Sequence, residues 1–257
     1  MKSLPCLRLF ERSPYLLCIL FLCVFSVGTE VSGQYALDGF SLDGSVADWY
    51  DSKIGSSSSS LYEGTFYGRP RIAQVGHALF RELSWAAGTI TFNGQYYDSV
   101  QIVYDILEDL VIIRNPNLSG LDQSYLKINQ NLISSFSLHG VVFKKLQGAT
   151  TPASRDGFYE MTYEGATLSL VVKRRKVEKF DGVQIELASM DEYYLFYQGS
   201  YIDYKGKKTL LQVFPNFKKP IRIFLRNNQL RIKPGDDRQI ISAIKYCEHL
   251  IEGNEGA

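Results

Sequence analysis

Cysteine and histidine are both scarce in this chain, which holds four cysteines and three histidines in 257 residues. Cys6, Cys18 and Cys23 all fall near the N-terminus, so Cys247 alone serves the rest of the chain. One thiol cannot close an intramolecular disulfide, and no cysteine-based metal site can form around it. His77, His139 and His249 stand far apart, without the i, i+4 spacing that sets two imidazoles on one helix face. No H-E-x-x-H, no G-x-S-x-G, no glycine-rich phosphate loop with lysine and no dinucleotide fingerprint occurs. Asp105, Glu108 and Asp109 crowd one turn, but their spacing matches no calcium loop. The residues thus point to no metal and no cofactor.

A large excess of one charge is also missing. The formal net charge is +1, and removal of residues 1–33 leaves 25 Lys and Arg against 25 Asp and Glu. A nucleic-acid binder would need a basic excess to neutralise phosphates, so none is expected as a partner. Long apolar runs are absent too. The longest, Tyr15 to Val27, is about 13 residues, where a spanning helix needs ~20. Lys2, Arg8 and Arg12 precede it and Val31-Ser32-Gly33 follows it. That pattern is a secretory signal peptide over residues 1–33, so the mature chain is expected to be exported and not transmembrane. Leu17 and Leu22 precede Cys18 and Cys23, where a lipidation signal carries a small residue, so no lipid anchor is expected. An exported domain without disulfides fits a bacterial periplasm, outer envelope or extracellular space better than a eukaryotic secretory route. The Asn117-Leu118-Ser119 sequon would matter only on that second route.

Beyond the leader, residues 34–60 are rich in Gly, Asp and Ser and end in Ser56 to Ser60. They carry too little apolar surface to offset their ordering entropy and read as a flexible spacer. Residues 61–204 have a period near 2. Asn93-Gly94 sits between Thr89–Phe92 and Gln95–Tyr97, a strong hairpin signal because both turn residues need positive φ. A second hairpin is expected at Ile106 to Asp109, and Asp156-Gly157, Glu164-Gly165 and Asp181-Gly182 punctuate further strands. Many short strands with turns every 8–12 residues predict a mainly β, α+β chain: a curved or partly closed antiparallel meander followed by a small helical segment.

The period changes in residues 205–257. Leu210, Leu211 and Phe214 follow Thr209 as a candidate N-cap, and Phe217, Ile221 and Phe224 repeat the helical spacing near Pro220. Asp236 or Asp237 can cap a last helix striped by Ile240, Ile241, Ile244, Cys247 and Ile251, which makes Cys247 an inert core residue. Charge divides at the same boundary: residues 34–204 carry 14 Lys and Arg against 20 Asp and Glu, and residues 205–257 carry 11 against 5. Either the basic helices dock on an acidic β domain, or they present a basic face to an anionic partner such as a lipid headgroup or polymer. Peripheral membrane contact through this segment follows from the second reading. The Lys173-Arg174-Arg175-Lys176 run reads as a solvated strand end.

Leu61-Tyr62-Glu63-Gly64 and Thr162-Tyr163-Glu164-Gly165 resemble each other, a carboxylate beside a tyrosine in both halves. The plain reading is a strand end with a turn glycine, used twice; the catalytic one is a carboxylate pair of the glycosidase kind, with Glu63, Glu160 and Glu164 as the acids to examine. Tyr193, Tyr194, Phe196, Tyr197, Tyr201 and Tyr204 read first as strand packing and second as an aromatic platform. His77, Trp85, Tyr194 and Tyr197 are accordingly the candidate residues for ligand or partner contact.

Leu61-Tyr62-Glu63-Gly64, Gly76-His77, Trp85 with Gly88, Tyr96-Tyr97 and Tyr104-Asp105-Ile106 follow in order, then Gly157-Phe158-Tyr159-Glu160 and Lys207-Lys208-Thr209-Leu210-Leu211. The set resembles a family of uncharacterised signal-peptide-bearing exported proteins of Bacteroidetes. The resemblance implies an envelope or secreted location and brings no activity, cofactor or catalytic residue with it. The expectation is a non-enzymatic binding or interaction protein for a hydrophobic or glycan ligand or an envelope protein, with a carboxylate-dependent hydrolase of polysaccharide or peptide as the alternative.

Overall fold

Alternating side chains commit much of residues 65–203 to strands, and the computed structural model, which describes residues 59–68, 70–116, 125–148 and 155–255, gathers them into one antiparallel sheet with a two-stranded arm. The expected leader at 1–33, nearly all of the expected spacer at 34–60 and the Asn117-Leu118-Ser119 sequon lie outside the described residues. The strands are β1 (Thr65–Phe66), β2 (Ala86–Phe92), β3 (Gln95–Asp105), β4 (Leu110–Arg114), β5 (Tyr125–Lys127), β6 (Ile133–Leu138) and β7 (Val141–Leu146). After them come β8 (Gly157–Glu164), β9 (Leu168–Lys173), β10 (Lys176–Phe180), β11 (Ile185–Ser189), β12 (Glu192–Tyr197) and β13 (Ser200–Asp203). Eleven strands run in the order β1-β5-β4-β3-β2-β6-β7-β8-β9-β12-β13 without closing, and β10 and β11 pair with each other.

Local chemistry sets the hairpins. Asn93 and Gly94 take φ of 50° and 79°, the left-handed pair that a tight β2–β3 turn requires. Asp109, at φ 60°, closes the β3–β4 turn. Asp105 Oδ1 accepts from the N–H groups of Leu107 and Glu108 in that turn, at 2.9 and 3.0 Å. The Asp105 carboxylate therefore serves the turn itself.

The sheet departs from a simple meander where β1 pairs with β5, where β9 is followed by β12, and between β5 and β6. β5 lies four positions from β6, and the link between them carries Gln130 across the end of β4. Its amide accepts from the Val111 N–H and donates to the Val111 carbonyl, both at 2.8 Å, as a neighbouring strand would. One side chain thus satisfies backbone that β5 is too short to reach.

Two cores lie on the same face of the sheet. In the first, Tyr104, Phe136, Phe143 and Phe158 pack ring to ring between strands β3 and β8, with centroids 4.8 to 6.1 Å apart. In the second, Leu168, Leu170, Val172, Tyr193 and Leu195 of β9 and β12 meet the C-terminal helices. Phe158 and Glu160 are two residues apart on β8, and Glu160 is directly opposite Val172 of β9. Strand periodicity therefore places both cores on one side, with Glu160 at their junction. The opposite side is covered in patches, by Tyr67, Trp85 and Tyr125 over Val103 and Ile112, and by Leu146 and Tyr201 near Tyr159 and Tyr194.

The helices are α1 (Lys207–Val213), α2 (Lys218–Asn227) and α3 (Asp237–Glu255). α1 and α2 are too short to persist alone in water and depend on burying one side. Leu210, Ile221, Leu225, Ile240, Ile244, Cys247 and Ile251 are buried, and Phe217 and Phe224 are half-buried against them. None of the described helices is long and apolar enough to cross a membrane. Thr209 is not the N-cap of α1. Gly206 holds that position at φ 88°, and Thr209 sits in the first turn, its hydroxyl accepting from Lys205 N–H and donating to the Asp203 carbonyl. At α3, Asp236 caps: its carboxylate accepts from the backbone N–H and the side-chain amide of Gln239. Asp237 is thereby released for another use.

Candidate functional site

The largest departure from the sequence reading is the run Lys173-Arg174-Arg175-Lys176. It is not a solvated strand end, because Lys173 and Arg174 are buried and all four side chains are engaged. Arg174 leaves the end of β9 on the core side and reaches three carboxylates, from β8, from the link between β11 and β12, and from α3. Nε meets Glu160 of β8 at 2.7 Å, Nη1 meets Asp191 at 2.7 Å, and Nη2 meets Asp237 of α3 at 2.6 Å. The Tyr193 hydroxyl donates to Asp237 and accepts from Arg174. Burial, together with the Asp237 hydrogen bond, pushes that phenol up to about 12. Lys173 pairs with Asp109 and donates to the Phe158 carbonyl. Burial lowers its ammonium pKa and Asp109 works the other way. Arg175 pairs with Glu192, and Lys176 donates to the His77 and Leu79 carbonyls.

A cleft of about 360 Å³ opens beside this node, lined by Phe80, Arg81, Ile106, Arg174, Lys176, Ser189, Asp191 and Asp237. Its charged groups already hold partners: Arg81 donates to the His139 carbonyl and lies over the Phe80 ring. The node fastens sheet, arm and helix together and has few donors left for a ligand.

A second cleft is different. It measures about 410 Å³, its floor is Leu225, Leu230 and Ile232, and its walls are Lys205, Lys207, Lys208, Arg222, Arg226, Arg231 and Lys233. Three pieces of sequence meet there, and the backbone explains how. The Tyr204 hydroxyl donates to the Ile232 carbonyl at 3.0 Å. A Cβ on Gly206 would lie 2.9 Å from that same oxygen, so glycine allows the close approach as well as the positive φ. These contacts press residues 205–208 against residues 231–233. Arg231 N–H donates to Gln239 of α3, and Leu230 N–H donates to the Leu225 carbonyl. Arg222 and Arg226 stand at i, i+4 on one side of α2. Of the seven cations, Lys205 has Asp203 at 3.5 Å; among the described residues the other six have no carboxylate within 4.0 Å.

The helical layer therefore docks in the opposite electrical sense to a basic tail on an acidic sheet. All eleven Lys and Arg of residues 205–257 are exposed. Two of its acids face the sheet instead: Asp237 at the Arg174 node, and Glu248, which accepts from Tyr163, from the N–H and hydroxyl of Thr167 and from Leu168 N–H. Burial opposes the Glu248 charge, but those hydrogen bonds prevail and hold its carboxyl below the ordinary carboxylate range.

The candidates from sequence fall in separate places. Glu63 is exposed just before the edge strand β1, Glu160 is buried against Arg174, and Glu164 is half-exposed and paired with Lys144 at 2.6 Å. β1 and β8 stand at distant positions in the sheet, so Glu63 does not join the other two. The twin Tyr-Glu-Gly pieces share close approach at their glycines: a Cβ on Gly64 would meet the Lys127 carbonyl at 2.6 Å, and one on Gly165 the Glu248 carboxylate at 2.3 Å. Tyr194 and Tyr197 point to opposite sides of β12. Tyr194 lies with Tyr159 and Val171, whereas Tyr197 packs on Phe214. Trp85 packs on Tyr125 with the rings tilted and their centroids 4.7 Å apart. His77 is half-buried with Nδ1 unpartnered, and burial, then Lys176, lowers its pKa. Among the described residues no cluster of His, Cys, Asp and Glu could hold a metal ion. Sequence reasoning missed both the Arg174 node and the second cleft, although Lys205 to Lys208 and the charge divide at residue 205 were visible signals of the latter.

Comparison with models of known families, with characterised protein sequences and with solved structures found no match to this chain.

Proposed function

We propose that this chain is an exported, non-enzymatic binding protein of the cell envelope that meets an anionic partner through the basic face of its helical layer. The observation that carries the reading is the distribution of charge. Glu160, Asp191, Asp237, Asp109, Glu192 and Glu248 are committed to internal contacts, while six cations around one cleft have no carboxylate within 4.0 Å among the described residues. A one-signed concave surface draws and holds the opposite charge. Export rests on the basic n-region, the short apolar run and the small residues near Gly33. The resemblance to exported proteins of Bacteroidetes supports the same compartment. An apolar-ligand carrier is favoured less, because neither cleft described here is lined mainly by apolar side chains. The hydrolase alternative has Glu63 exposed away from the other two acids, with Glu160 and Glu164 each paired to a cation.

The test is retention of the leaderless chain on immobilised dextran sulfate at ~0.15 M salt. The parent should be retained and elute as salt rises, and the R222Q/R226Q double variant should elute earlier. Passage of the parent in the void volume would sink the proposal.

A further inference from the structure

We infer that the basic cleft is a binding site for a phosphate group carried on a compact, partly apolar body. The inference rests on the reading of this face as anionic-partner surface and names the chemistry of its ligand. Charge comes first. Six cations without a carboxylate partner among the described residues surround about 410 Å³, and a ligand with a single carboxylate would match them poorly. A phosphate monoester brings about −1.5 to −2 charges at neutral pH and three acceptor oxygens. Donor geometry comes second. Arg222, Arg226 and Arg231 can each present a planar fork to a pair of phosphate oxygens, and the lysines add point charges around them.

The remaining arguments concern shape and strain. Leu225, Leu230 and Ile232 give the floor an apolar character that suits a non-polar portion beside the anionic group. The volume is that of a small-molecule site. Its backbone is preset by the Tyr204 and Gly206 contacts on Ile232, so binding need order only side chains. Arg222 and Arg226 repel each other at i, i+4, a cost that a bound dianion removes. Occupancy therefore raises the stability of the fold as well as filling the cleft.

The ligand's phosphate can come from a lipid headgroup or from a soluble phosphorylated molecule, and the experiment separates the two. Inorganic pyrophosphate is titrated into the leaderless chain by calorimetry at fixed ionic strength. Sedimentation is measured with vesicles of phosphatidylcholine alone and of phosphatidylcholine containing phosphatidic acid. The inference expects saturable one-to-one binding of pyrophosphate and a rise in melting temperature. It also expects affinity at least about tenfold lower in R222Q/R226Q. K179Q, altered on the exposed β10, should bind as the parent does. Sedimentation with phosphatidic acid vesicles, reversed by pyrophosphate, assigns the phosphate to a lipid; pyrophosphate binding without sedimentation assigns it to a soluble ligand. Absence of saturable binding to both probes, or binding that R222Q/R226Q leaves unchanged, overturns the inference. If that happens while dextran sulfate retention persists and still depends on Arg222 and Arg226, only the phosphate assignment falls.

Discussion

Replacing Arg174 with Met tests how the helical layer is fastened to the sheet. The guanidinium is buried and bridges Glu160, Asp191 and Asp237 at 2.6 to 2.7 Å. Met keeps much of the apolar stem and removes the charge. Asp191 and Asp237 retain some solvent, but Glu160 is only 3% exposed and would be left without its cation. Deleting one partner of a buried pair costs about 3–5 kcal/mol, because the surviving charge is uncompensated. For a domain of this size, each kcal/mol lowers the melting temperature by roughly 2–4 °C, which gives a fall of about 6–20 °C. Urea unfolding followed by circular dichroism gives the free energy, and a thermal scan gives the second figure. The double variant R174M/E160M, in which neither partner is charged, should recover part of the loss. A melting temperature within about 2 °C of the parent would refute the reasoning, since a loss that small would mean Glu160 is not dependent on Arg174.

Three further outcomes are expected. Glu248 has its carboxyl held below its ordinary value of 4.5, so its stabilisation is complete above that range and is lost as pH falls through the native value. E248Q should therefore be less stable than the parent at pH 7, and urea midpoints measured against pH should converge in acid. Cys247 is fully buried and burial pushes its thiol up to about 12, so a thiol reagent should leave it untouched in the native protein and modify it in urea. Truncation after Tyr204 removes the cover from Leu168, Leu170, Val172 and Leu195, and the product should aggregate or bind a hydrophobic dye; a soluble product that melts as the parent does would contradict the packing described.

Much of the strand pattern was legible because it depends on neighbours in sequence. Asn93-Gly94 declares its own turn, and Glu192–Tyr197 is a short aromatic-rich run of strand-forming residues that coincides with β12. The stripe through Ile240, Ile244 and Cys247 likewise announces the buried side of α3. What could not be read was assembled from a distance. β10, Lys176–Phe180, is charged and its outer residues are exposed, so its strand character comes from pairing with β11 rather than from a buried side. The basic run at 173–176 looks solvated because its partners Asp109, Glu160, Asp191, Glu192 and Asp237 are scattered over more than a hundred residues. Thr209 had the chemistry of an N-cap, but the glycine at 206 was needed where residues 205–208 approach Ile232. For the basic cleft, the surplus of Lys and Arg after residue 205 was plain; the concavity required the fold that brings Lys207, Arg226 and Arg231 around one floor.

The most direct measurement is a two-dimensional amide NMR titration of the leaderless chain with inorganic pyrophosphate at fixed ionic strength. The account expects saturable shifts concentrated at residues 205–208 and 222–233, with Ile232 and Lys233 among the most affected and the Arg174 node quiet. Shifts absent, spread over the whole surface without saturation, or centred on the cleft beside Arg174 would contradict it.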